Sequence, residues 1–104
     1  MDTYDKLSQY GILIRQFEYR TNKDDFNYLI WISRDVLSAF TETKAISDRI
    51  EIIASRLLGI EPFLGTGKKD KETLQAFDDY KCFLLGEIKS GKKVLGGEEE
   101  VIEA

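Results

Sequence analysis

Between Asp70 and Gly96 the apolar residues recur at the spacing of a helix, and three earlier segments of the chain repeat that spacing. Taking about 100° per residue, Thr73, Leu74, Phe77, Tyr80, Leu84, Leu85 and Ile88 share one face, with Glu72, Asp78, Asp79 and Lys89 off it. Asp70 is placed as the N-cap, where its carboxylate meets the free amides and positive end of the helix. Gly91 reads as the glycine that stops the helix, with Lys89 suiting the carbonyl end. Four such stripes and a single proline predict an all-α fold: a compact four-helix domain with short turns.

The predicted helices lie near 3–20, 23–40, 44–58 and 71–90. In the first, Tyr4, Leu7, Tyr10, Leu13, Ile14 and Phe17 form the apolar side, with Gly11 in the same arc. That glycine either allows a close helix crossing or is simply tolerated. Asp2 and Asn22 are placed as N-caps of the first two helices. The second helix is apolar past half its circumference, through Phe26, Leu29, Ile30, Val36, Leu37 and Phe40, widened by Tyr28, Ile32 and Ala39. So wide an arc belongs to a helix packed from two sides. Trp31 falls outside it, beside Asn27, Arg34 and Ser38. It either lies flat under Arg34 as a cation–π partner or anchors a subunit contact. The third helix carries Ile46, Ile50, Ile53, Ala54 and Leu57, and its predicted end is set by Gly59 and Pro62. Residues 60–69 then read as a loop, with Phe63 and Leu64 tucked against the bundle.

Charge narrows the functions open to the chain. Its 15 Lys and Arg all fall within residues 1–97, alongside an equal number of Asp and Glu. The net charge of −4 comes from Glu98, Glu99, Glu100 and Glu103. Residues 1–96 therefore read as one helical domain and 97–104 as a disordered acidic tail. A neutral body is a poor binder of nucleic acid, because it has no surplus of cations to displace counterions. No apolar run approaches the roughly 20 residues of a membrane span, and MDTYDKL lacks the layout of a signal peptide. One cysteine, Cys82, cannot form an internal disulfide, so the expected compartment is a reducing cytoplasm.

Candidate chemistry is scarce. The chain has no histidine, which removes imidazole acid–base pairs and most zinc sites. Asp24–Asp25 and Asp78–Asp79 diverge by about 100° on their helices and read as solvated or capping pairs. GTGKKD has Pro62 where a phosphate loop needs its first glycine, and no strand leads into it. The expectation is a non-enzyme with no cofactor and no metal.

The segment DDYKCFLLGEIKSGKKVLGG resembles the closing segment of the small phage head–tail connector family, of the phage Mu type. The matching elements are Tyr80, Leu84 with Leu85, Ile88, Ser90-Gly91-Lys92 and Leu95-Gly96. AISDRIEIIASRLLG at 45–59 is similar to that family's preceding helix, and DDFNYLIWISRDVLSAF at 24–40 to the long helix before it. TETK stands where the family often carries a proline-containing excursion. The resemblance implies a structural protein that packs into a ring at the portal of a filled phage head. Its partners would be further copies of itself and a portal or neighbouring virion protein, and its place the host cytoplasm before assembly and the virion afterwards. From another class, a small helical acidic inhibitor or immunity-type protein, acting by occlusion, fits the same composition.

Two groups of residues are candidate contacts. Lys89, Lys92, Lys93, Val94 and Leu95 surround the expected stop at Gly91, either as a solvated helix end or as a mobile arm that orders on a partner. Tyr28, Trp31 and Phe83 are the candidate subunit contacts, Phe83 because it is expected to project opposite the core face of the last helix.

Overall fold

The computed structural model describes residues 2–17, 23–43, 46, 48–64 and 70–96. Four helices carry nearly all of them: α1 (Thr3–Gln16), α2 (Lys23–Thr41), α3 (Asp48–Leu64) and α4 (Lys71–Val94). No strand occurs among the described residues. Each helix packs on its neighbours in sequence, α4 returns to α1, and α2 meets α4 across a diagonal. The cross-helix ion pairs set out the up-and-down order. Lys6 reaches Glu42 at 2.7 Å, Arg34 reaches Glu61 at 3.3 Å, and Arg49 reaches Glu87 at 3.3 Å.

The predicted stripes become the core. Leu7 and Ile14 of α1, Phe26, Leu29, Ile32, Val36 and Phe40 of α2, Ile53 and Leu57 of α3, and Phe77, Tyr80, Leu84 and Ile88 of α4 are buried in one cluster. Both aspartate caps form as expected. Asp2 accepts from the Asp5 amide at 2.8 Å, and Asp70 from the Thr73 amide at 2.7 Å. The Asn22 cap lies outside the described residues, as do residues 18–20 and the acidic tail at 97–104.

The ends of three helices differ from expectation. α1 stops at Gln16 rather than Arg20, because Phe17 turns to extended backbone and Lys81 of α4 donates to its carbonyl at 2.6 Å. α3 is described from Asp48, its expected start at Lys44 lying outside the described residues, and it runs through both Gly59 and Pro62 to Leu64. Proline removes one helical hydrogen bond and crowds the carbonyl four residues back, here that of Leu58. Leu58 is 72% exposed and Pro62 is exposed, so water can serve the freed carbonyl. The extension also places Ile60 in the core and packs Phe63 against it.

α4 likewise passes its expected stop. It continues to Val94, and the left-handed glycine is Gly96, with φ +95°. Gly91 is buried against another helix. A Cβ placed there would stand 3.0 Å from two ring carbons of Phe40 and 3.4 Å from Leu7 Cδ1. The close approach of backbone to ring explains the glycine. Phe83 is also corrected. It does not project opposite the core but packs half-buried against it, 5.8 Å from the Tyr80 ring and under the Arg56 guanidinium at 4.3 Å.

Candidate functional site

At the α4 exit, helical continuation sorts the five candidate residues by burial. Lys92 turns inward, is 8% exposed, and places its ammonium 5.1 Å from the centre of the Tyr4 ring on α1. Leu95 caps the helix, donating its amide to the carbonyls of Gly91 and Lys92, and packs against the core. Lys92 and Leu95 therefore belong to the fold, and the mobile arm is replaced by a last helical turn. Lys89, Lys93 and Val94 remain exposed at that end.

On the opposite side of the bundle, α1 and α2 form an aromatic flank. The Phe17 ring lies 4.9 Å from Tyr28, and Tyr28 lies 5.8 Å from Trp31. Leu13, Gln16, Phe17, Asp25 and Tyr28 line a shallow groove of about 360 Å³. Trp31 is 54% exposed at its edge. The Arg34 guanidinium reaches across to Glu61 on α3. Tyr28 and Trp31 are thus brought together, whereas Phe83 sits on the α3–α4 side under Arg56.

Carboxylates border the flank. Asp24 is exposed, whereas Asp25 is only 9% exposed in the first turn of α2, so of its two readings, solvated or capping, the solvated one does not hold. The Tyr10 phenol is raised from its usual value, first by burial and then by the Asp35 carboxylate beside it. At the foot of the flank, hydrogen bonds from Lys6 and Thr3 hold the Glu42 carboxyl below its ordinary range. Along α2, Asp24, Tyr28, Trp31 and Asp35 follow the spacing i, i+4, i+7, i+11 and so form one outward row. Tyr28 fulfils both of its expected roles in position, packing half-buried against the core and standing in this row beside Trp31.

Among the described residues no group of three or more His, Cys, Asp or Glu could hold a metal ion. Cys82 is exposed and free. The Tyr80 hydroxyl is buried beside Ser33 and makes no hydrogen bond among the described residues, while Ser33 itself donates to the Leu29 carbonyl at 2.7 Å. Burial pushes that phenol up to about 12, against smaller opposing effects of Ser33 and Arg56. A groove of about 330 Å³ between α3 and α4 is lined by Arg56, Gly59, Ile60, Ala76, Asp79 and Tyr80. No helix among the described residues is long and apolar enough to cross a membrane. Comparison with protein-family models, curated proteins and solved structures finds no match.

Proposed function

We propose that this chain is a non-enzymatic assembly protein that acts by protein–protein contact. In its most specific form it is a phage or prophage head–tail connector subunit, packed with its copies into a ring at the portal. The observation that carries the reading is Trp31, 54% exposed and in tilted ring contact with Tyr28, which adjoins Leu13 and Phe17. Tryptophan is over-represented among residues that dominate protein interfaces, and four adjoining apolar side chains on one flank are more than scattered exposure. The neutral body agrees with a channel wall, since DNA would find no excess of cations on it.

The test is sedimentation velocity of the purified chain over a wide concentration range. Growth into a discrete large assembly is expected, and a Trp31→Ala variant should keep its fold but assemble less. A chain that stays monomeric at every concentration overturns self-assembly and favours the occluding-inhibitor reading.

A further inference from the structure

The outward face of α4 carries a second row with the same spacing as the row on α2. Cys82, Gly86, Lys89 and Lys93 stand at i, i+4, i+7, i+11, and all four are exposed. The two rows are chemically opposite. On α2 the row runs Asp24, Tyr28, Trp31, Asp35. On α4 it runs thiol, glycine, lysine, lysine. Gly86 has open space around it, with no atom within 4 Å of where a Cβ would stand. Neither Lys89 nor Lys93 has an ion-pair partner among the described residues.

We propose that the α2 row docks on the α4 row of a second copy of this chain, helix direction matched. In that register Asp35 meets Lys93, and Trp31 meets Lys89, whose stem and ammonium suit an indole face. Tyr28 lies over Gly86, where no side chain obstructs it, and Asp24 falls beside Cys82. Charge complementarity selects the occupant: Asp35, the acidic C-terminal end of the α2 row, meets the lysine end of the α4 row, where neither lysine is already paired among the described residues. The two faces lie across the bundle diagonal, since α2 and α4 are opposite helices. One contact therefore leaves one donor row and one acceptor row free, and the interaction is head-to-tail. This inference rests on the assembly reading above and names the surfaces it would use.

The test uses two variants of the full chain. Trp31→Ala disables the α2 row, and the double change Lys89→Glu with Lys93→Glu disables the α4 row. Both changes are at exposed positions, so unchanged thermal midpoints confirm folding. Wild type should grow past the dimer, closed or open, and weaken as salt is raised. Each variant alone should lose about 30-fold or more in association, the loss typical of an interface anchor. Mixed together they should form a one-to-one complex and nothing larger, because each supplies the row the other lacks. Asp35→Lys combined with Lys93→Glu should recover assembly lost in either single change. Wild type that assembles while both variants assemble equally well overturns this contact and leaves the assembly reading standing. Wild type that is monomeric throughout overturns both.

Discussion

The ends of α3 and α4 look alike in sequence and differ in what holds them. Each has a glycine where a helical stripe was expected to finish, at Gly59 and Gly91, and each helix continues past it. Around Gly59 nothing comes within 4 Å of an added Cβ, whereas Gly91 is pressed against Phe40 and Leu7. One glycine is a weak point bridged by the packing of Ile60 and Phe63 beyond it. The other is a contact surface in its own right. A glycine's meaning as a stop or as a close approach depends on what faces it, and that is a tertiary property.

The largest expected effects calibrate the two helices before their ends. Leu84→Ala in α4 and Ile53→Ala in α3 should each cost about 2–5 kcal/mol, since both side chains are fully buried. Chemical denaturation should rank them together. A cost below about 1 kcal/mol at either site would mean that helix is loosely packed, and the comparison of ends would lose its common scale.

The seam between α3 and α4 gives the next effect through Tyr80. Its folded-state phenol is raised to about 12, above the usual value near 10. The stabilisation this represents is complete below pH 10 and is lost as pH rises through 12. A two-unit shift corresponds to about 2–3 kcal/mol. Tyr80→Phe should flatten the alkaline limb and be neutral or stabilising at pH 7, since it removes a buried hydroxyl without a good partner. An unchanged alkaline limb would show that Tyr80 is not its source.

Gly91→Ala and Gly59→Ala then test the comparison directly, with opposite signs. At Gly91 the added methyl meets a fully buried Phe40 ring that has little room to shift. Overpacking outweighs the gain in helix propensity, for a net loss of about 1–2 kcal/mol. At Gly59 the methyl enters open space in a helical backbone, and a gain of about 0.5–1 kcal/mol is expected. Thermal melts of the pair suffice. If both variants shift the same way, the two glycines are not different in kind.

Much of this was legible along the chain. The stripes at Leu7, Ile14, Phe26, Ile53, Phe77 and Leu84 face the core as their spacing predicted, and Asp2 and Asp70 cap their helices. The candidate contacts were less so. Tyr28 and Trp31 were both singled out, but their continuity with Phe17 and Leu13 needed α1 and α2 to be side by side. Lys92 read as a surface cation and turned out to lie over Tyr4, 88 positions earlier in the chain by numbering.

Periodicity and caps act within a few residues of backbone, so the sequence by itself determined four helices, their inward faces and the starts of α1 and α4. Where helices end was decided by the tertiary structure. Phe17 is held by Lys81, α3 is drawn past Pro62 by Ile60 and Phe63, and α4 is drawn past Gly91 by Phe40, Leu7 and Tyr4. The local signals at these termini are worth about 1–3 kcal/mol each, which the burial of one or two large side chains can match. Surface function follows the same division. The outward rows on α2 and α4 are written in the spacing, but that they stand on opposite corners of one bundle is a fact of packing.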